Sequence, residues 1–321
     1  MNGTRYATIA AIGLMFSLAG CTLPGRPADP IPFGEEPPGR WEQIADFSFY
    51  DIPEENLKGQ IEPAYRMYMV TMAGFHTERF GITIGTDDDA RYTEDGGKTW
   101  TIAGHELSTR FGMEIVDEKV AWHCGNGGTR RSVDGGRTWT TVTRSPCPSM
   151  SFLDERTGWA ASPNHLRATN DSAQTWKDLY PPLEERRLIA AIALRTDQKG
   201  YVLDDGGHLY ASADGGGTWD TRSMGLPVGA LMVPVTSASR AALRFVDDRH
   251  GVAVFSLKDQ SVWFAVTADG GHTWQREEIV ELCGRAMYYS IYLSRDGSLL
   301  TVTSDYNLGE NVSRVFRYVA E

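Results

Sequence analysis

Along the body of the chain, an apolar run, a tight polar turn and a second apolar run follow one another repeatedly. The clearest copies are Phe152 to Ala160 (FLDERTGWA) and Phe245 to Ala253 (FVDDRHGVA), with weaker forms at Ile115 to Trp122 (IVDEKVAW) and Leu194 to Val202 (LRTDQKGYV). Each reads as a strand, a polar turn and a second strand. A third strand follows, after Gly-rich turns at Asn126-Gly127-Gly128 and Asp205-Gly206-Gly207. A nine-residue phrase then closes the unit: Tyr92 to Trp100 (YTEDGGKTW), Arg131 to Trp139 (RSVDGGRTW), Ala168 to Trp176 (ATNDSAQTW), Ala211 to Trp219 (ASADGGGTW) and Val266 to Trp274 (VTADGGHTW). Its acids, Asp95, Asp134, Asp171, Asp214 and Asp269, lie 39, 37, 43 and 55 positions apart. A period of about 40 that carries strand, turn and strand in every copy predicts a β-propeller, one four-stranded blade per repeat.

The phrase has a local mechanism. In a hairpin turn the Asp side chain accepts hydrogen bonds from amides downstream, and Gly supplies positive φ without a Cβ clash. The Ser or Thr two residues earlier adds a second bond from side chain to backbone. Trp100, Trp139, Trp176, Trp219 and Trp274 open the outgoing strand, where they are expected to pack between neighbouring sheets. In the third copy Ser172-Ala173 stands where the others have Gly-Gly. Ala173 must accept a strained backbone or use another turn, and this turn is expected to be the least regular of the five.

Five phrases give five blades. After Trp274 the chain has strands at Met287 to Ser294, Ser298 to Ser304 and Ser313 to Val319, without the phrase, and Trp41 to Phe49 is an unpartnered strand at the other end. Adding that strand to the last blade closes the ring and removes its open edges. The expected fold is all-β: a six-bladed propeller of four-stranded antiparallel blades closed by the N-terminal strand. A seven-bladed ring, with its extra blade drawn from Thr221 to Ala242, is the alternative.

The nine-residue phrase resembles the Asp box, or bacterial neuraminidase repeat, found in sialidases, oligoxyloglucan-type glycoside hydrolases, sortilin-like receptors and the photosystem II assembly/stability factor family. The order of strand, polar turn, Gly-Trp-Ala, Gly-Gly, strand and Asp box over Ala64 to Trp274 is most similar to the last of these. The resemblance implies that the five acids stitch turns on the face away from the binding face, and that the ring docks proteins. The photosystem factors resemble seven-bladed rings, so six blades is a departure. The sialidase likeness would imply an arginine triad opening with an Arg-Ile-Pro phrase. The candidates here, Gly39-Arg40-Trp41 and Asp51-Ile52-Pro53, lack it and leave a carboxylate substrate without its bidentate clamp.

The N-terminus changes the picture of where the ring works. Met1 to Gly20 reads as a signal peptide, with Arg5 as the charged start and Ala7 to Leu18 as an apolar run too short to span a bilayer. Leu18-Ala19-Gly20-Cys21 resembles the lipobox of bacterial lipoproteins, which implies cleavage before Cys21 and acylation of its thiol and amine. Residues 21–40, rich in Pro and Gly, read as a tether, and the domain runs from Trp41 to Glu321. Thr22, where Asp would signal inner-membrane retention, favours the outer membrane in a two-membrane host.

A formal net charge of −11 argues against nucleic acid and anionic lipid as partners. The expected partner is an envelope protein or a glycan, with the membrane met only through the anchor. No cofactor is expected, and no Cys-x-x-Cys or His-x-x-x-His spacing supports a metal site. Cys124 and Cys147 fall in loops of adjacent blades on one face, which predicts a disulfide in an oxidising compartment and leaves Cys283 over.

Two groups of residues are the binding candidates. Acids that a glycosidase could use occur as Asp87, Asp88 and Asp89 in the first blade, as Asp204 and Asp205 in the fourth, and as Glu184 and Glu185 between blades three and four, too far apart in sequence for anything but the fold to bring together; solvated loop acids are the alternative reading. The long connection from Arg222 to Arg244 carries Leu226, Val228, Leu231, Met232 and Val233, a candidate partner contact or else an extra edge strand on blade five. The sequence therefore points to a lipid-anchored interaction or assembly module, with a glycan-binding or glycoside-hydrolysing propeller as the alternative.

Overall fold

The structure, a computed structural model, describes residues 39–47, 57–58, 70–86, 88–103, 107, 112–125, 127–144, 147–234, 240–259, 261–278, 287–306 and 310–320. The expected signal segment, Cys21, the tether as far as residue 38, Asp87 and Cys283 lie outside them. All regular elements of the described residues are strands.

Strands β1 (Gly39–Phe47) and β2 (Leu57–Lys58) precede the repeats. Blade one is β3 (Val70–Phe75), β4 (Gly81–Gly85), β5 (Ala90–Thr93) and β6 (Trp100–Ala103), with β2 parallel to its outer edge. Blade two is β7 (Gly112–Ile115), β8 (Ala121–Gly125), β9 (Gly128–Ser132) and β10 (Thr140–Thr143). Blade three is β11 (Ser149–Phe152), β12 (Gly158–Ser162), β13 (His165–Thr169) and β14 (Lys177–Leu179). Blade four is β15 (Ile189–Leu194), β16 (Gly200–Asp204), β17 (His208–Ser212) and β18 (Asp220–Ser223). Blade five is β19 (Ala241–Phe245), β20 (Gly251–Ser256), β21 (Val262–Thr267) and β22 (Gln275–Glu278). Blade six is β23 (Met287–Leu293), β24 (Leu299–Tyr306) and β25 (Glu310–Ala320), with β1 as its fourth strand, antiparallel to β25 from Gly39 opposite Ala320 to Phe47 opposite Ser313.

The inner strands touch in the cycle β3, β7, β11, β15, β19, β23 and back to β3, so the ring is closed. Six four-stranded units with an N-terminal strand completing the sixth is the architecture the repeats imply. The considered seventh blade does not form: residues 220–223 belong to β18, and the segment after it, as far as 234, makes one bridge, Met232 to Leu257.

Burial explains the strand compositions. Inner strands pack on both faces and are mostly apolar or small, as in Ile189–Leu194, where all six residues are buried. The outer strands Thr140–Thr143 and Asp220–Ser223 face solvent and are polar. The recurring Phe-to-Gly spacing is a packing requirement. A Cβ on Gly158 would sit 2.3 Å from the Phe152 ring, and one on Gly251 would sit 2.7 Å from Phe245. Two of the turn tryptophans bridge blades directly. Trp100 lies 4.9 Å from Phe47 of blade six, and Trp219 lies 5.8 Å from Trp159 of blade three.

Candidate functional site

The five Asp turns share one hydrogen-bond pattern. In blade one the Thr93 hydroxyl donates to Asp95 and accepts from the Gly97 amide, while Asp95 accepts the Thr99 amide (2.9 Å) and hydroxyl (2.7 Å). Equivalent bonds recur around Asp134, Asp171, Asp214 and Asp269. These donors favour the ionised carboxylate. The Thr175 hydroxyl and then its amide hold Asp171 at about 2, and the Thr218 amide and then its hydroxyl hold Asp214 at about 2. The residue after each Asp also donates its amide to the turn between the first and second strands, as in Gly96 to Arg79 and Gly270 to Arg249. Asp turns and first-to-second-strand turns therefore share one face of the ring.

The third turn keeps the pattern, contrary to the irregularity expected of it. Ser172 and Ala173 adopt φ of 66° and 63° in place of the glycines, and the Ala173 amide still reaches the Thr169 hydroxyl at 3.0 Å. The shared network of Thr169, Asp171 and Thr175 imposes the left-handed conformation on residues that disfavour it.

The acids singled out in the sequence lie in second-to-third-strand turns on the opposite face. Asp204 is fully buried and accepts the Gly206 and His208 amides, His208 Nδ1 (3.0 Å) and the Tyr210 hydroxyl (2.9 Å). Asp205 accepts the Leu188 amide at 3.2 Å and faces Arg187. Asp88 has φ of 63°, and its carbonyl accepts the Leu107 amide at 2.6 Å, while the Asp89 carbonyl accepts the Gly85 amide. Blades one and four stand across the ring from each other, so the two acid groups are not brought together. No cluster of three metal-ligating side chains occurs among the described residues.

Of the long connection, Met232 is buried, its amide donates to Asp205, and Val233 and Lys258 add backbone bonds to Ser256 and Leu231. Leu226 and Leu231 are half-buried, and Val228 is the one of the five that stands fully in solvent. Cys124 and Cys147 are brought together as buried free thiols: Cys124 Sγ accepts the Cys147 amide, and both sulfurs lie 3.5 Å from the Thr129 hydroxyl.

The ring axis holds a constellation that the sequence reading passed over. On the Asp-turn face, the ends of the inner strands surround a chamber of about 500 Å³ whose polar lining includes His76, Glu114, Arg195, Arg244, Arg295 and Asp296. Its apolar wall comes from Phe152, Leu194, Phe245 and Val246. Beneath it a narrow space of about 40 Å³ continues along the axis, and Glu114 and Arg244 line both. Their ion pair is therefore the septum between chamber and bore.

That pair joins β7 of blade two to β19 of blade five across the ring, with Arg244 Nη2 donating to Glu114 Oε2 at 2.6 Å. One further contact crosses the axis, and another passes over blade one. Arg295 of blade six donates to the Phe152 and Leu153 carbonyls of blade three at 3.1 and 2.7 Å. The Tyr292 hydroxyl accepts the Ile115 amide of blade two at 3.1 Å. Burial pushes the Glu114 carboxyl up against the pull of Arg244 and Arg295. Burial works the other way on Arg244, where Glu114 outweighs it and raises the guanidinium. Burial also opposes the charge on Asp296, but bonds from Ser294 and Ser298 outweigh it and hold that carboxyl below its usual range. The sequence does carry a signal for the septum. Glu114 and Arg244 are opposite charges in otherwise apolar inner strands, each one residue before the strand's end.

No protein-family model matches the chain, and no curated protein matches its sequence. Solved structures do. YCF48 bound to D1 peptide aligns at 14% identity and a TM-score of 0.47, covering 91% of this chain and 98% of that one. An ancestral GH74 enzyme aligns at 11% and 0.48, covering 74% and 35%. The WD40 repeats of RRP9 align at 9% and 0.51, covering 78% and 95%. At these identities the likeness bears on the fold alone, and it is to propellers of quite different occupations.

Proposed function

We propose that the chain is a lipid-anchored propeller of the bacterial cell envelope that acts as a non-catalytic protein-interaction or assembly module. The lipobox-like Leu18 to Cys21 supports the anchor, and the five Asp-box-like turns support a rigid ring. One observation carries the non-catalytic reading. The axis, where chemistry would have to converge, is spanned by structural bonds: Glu114 to Arg244, and Arg295 to Phe152 and Leu153. Each carboxyl there is already committed to a partner, and Glu114 is 2% exposed. Hydrolysis of a glycan is the second reading. It draws on the same Glu114, because a carboxyl raised by burial beside a cavity is the kind of group a general acid requires.

The test compares the two faces. Val133 and Val246 are exposed on the Asp-turn face, and Tyr180 and Val228 on the other. Photo-reactive residues placed singly at these four positions in the anchored protein, in its native envelope, are expected to give discrete protein adducts from one face only. Adducts from neither face, together with turnover of an envelope polysaccharide that Glu114→Gln abolishes, would establish the hydrolase instead. Cys21→Ser is expected to move the protein from the membrane fraction to the soluble fraction, and retention on the membrane would remove the anchor from the proposal.

A further inference from the structure

The narrow space beneath the Glu114–Arg244 septum is walled on one side by methionine. Met72 of β3, Met113 of β7 and Met150 of β11 come from three successive blades and line this one space of about 40 Å³. Three of the chain's ten methionines thus meet at the ring axis, where blades four, five and six contribute Ile192, Ala242 and Ile291 instead. Met72 and Met113 share the core cluster between blades one and two. Met150 lies over Gly112, the residue before Met113: a Cβ on that glycine would stand 3.6 Å from Met150 Cγ. Each of the three keeps some accessible surface, 5%, 7% and 5%, whereas Met232 in the core between blades four and five keeps none. Methionine is a common filler of irregular gaps, and filling would leave the bore closed. Here three flexible side chains meet and a space larger than one water needs remains.

A hard cation needs a shell of oxygen ligands. Among the described residues the one carboxylate on this wall is Glu114, and it is engaged by Arg244 and drawn on by Arg295 as well. With two guanidiniums near one carboxylate, a divalent ion meets more repulsion than a monovalent one. Thioethers are neutral, soft ligands, different in kind from the His, Cys, Asp and Glu side chains that nowhere gather in threes among the described residues. We propose that the bore is a site for a monovalent soft metal ion, copper(I), ligated by the sulfurs of Met72, Met113 and Met150. The septum closes the site toward the Asp-turn face. Its other end is lined by Gly112, Ser149 and Ala241, the first residues of β7, β11 and β19, so the ion enters from the face opposite the Asp turns. This site goes beyond the docking function proposed above and does not depend on it.

The test titrates the full chain, isotope-labelled at the methionine ε-methyl carbons, with silver(I), which shares the charge and ligand preference of copper(I) and keeps its oxidation state in the assay. Substitutions Met72→Leu, Met113→Leu and Met150→Leu assign the three signals. One equivalent of silver(I) is expected to shift all three together and to saturate there, leaving Met224 and Met232 in place, and copper(I) under nitrogen is expected to give the same shifts. Met113→Leu removes one sulfur at nearly constant volume. It is expected to weaken silver(I) binding about ten-fold or more while the metal-free protein keeps its thermal midpoint. The titration of the unsubstituted chain decides the matter even where a variant fails to fold. Met150 packs in one cluster with Cys124 and Cys147, so a shift of Met150 alone would put the metal on those thiols and overturn the proposal. Unmoved signals, equal shifts of Met224 and Met232, the same response to zinc(II), no response to copper(I), or unaltered affinity in a folded Met113→Leu would each overturn it as well.

Discussion

The second glycine of each Asp turn allows one backbone geometry to be tested in four packing environments. Gly97, Gly136, Gly216 and Gly271 have φ of 86°, 81°, 90° and 91°, and Ala173 occupies the same slot in blade three at 63°. Replacing any of the four glycines by Ala adds about 1–2 kcal/mol of left-handed strain, offset by about 0.4–1 kcal/mol of lost unfolded-state entropy. The common cost is thus about 1 kcal/mol. The environments then separate the sites. At Gly97 the new Cβ meets nothing closer than Trp100 at 3.5 Å, so Gly97→Ala should cost that common amount alone. At Gly136 it meets Ile82 at 3.0 Å, at Gly216 Leu179 at 2.7 Å, and at Gly271 Leu209 at 2.4 Å. Leu209 is fully buried in the core between blades four and five and has no room to yield. Overpacking adds about 1–3 kcal/mol there, for a total near ~3 kcal/mol. Ala173→Gly relieves about 1–2 kcal/mol of strain but gives up a buried methyl worth about 0.8 kcal/mol and increases unfolded-state entropy, so it should be close to neutral. Urea unfolding followed by tryptophan fluorescence at neutral pH measures all five. The expected order of cost is Gly97, Gly136, Gly216, Gly271. Equal costs at all four, or Gly271→Ala milder than Gly97→Ala, would show that packing around the turn does not set its tolerance.

Other consequences are as direct. The Asp171 and Asp214 carboxyls, held at about 2, lie below their unfolded values, so their contribution to stability is present above about pH 4 and lost as pH falls through about 2. Carbon-detected titration of the Asp carboxyls should place both midpoints well below the ordinary aspartate range, and midpoints near the unfolded value of about 4 would refute the turn geometry. Cys124 and Cys147, buried side by side, should be linked after export: an oxidoreductase disulfide takes up the two thiol hydrogens, and the intact mass falls by two hydrogens. Recovery of both as reduced thiols from the envelope would exclude the bond. Arg295→Gln removes two charge-assisted bonds between blades six and three and should lower unfolding stability by about 2 kcal/mol, measured by the same urea assay. No measurable loss would mean that the axial tie is not part of the ring's cohesion.

Much of the fold is legible because each repeat states its own packing. Phe152 dictates Gly158 and Phe245 dictates Gly251, so the spacing could be read without coordinates. Closure was legible as well, since blade six lacked one strand and Trp41 to Phe49 lacked a partner. The third turn misled because Ser172-Ala173 was weighed by its own φ preference, while Thr169, Asp171 and Thr175 decide the geometry. Asp204 looked like loop chemistry, yet an Asp before Gly206-Gly207 is a turn acceptor, and its four bonds leave no lone pair for a substrate. The axial site was hidden for a different reason. Glu114 and Arg244 are 130 residues apart, and nothing local in either strand names the other. Their meeting depends on blade number, because blades two and five face each other directly only in a ring of six. A seventh blade would widen the bore and turn them out of line, leaving a buried guanidinium and a buried carboxylate each without its partner. The charges in two otherwise apolar strands are therefore evidence about ring size, readable once the blades are counted.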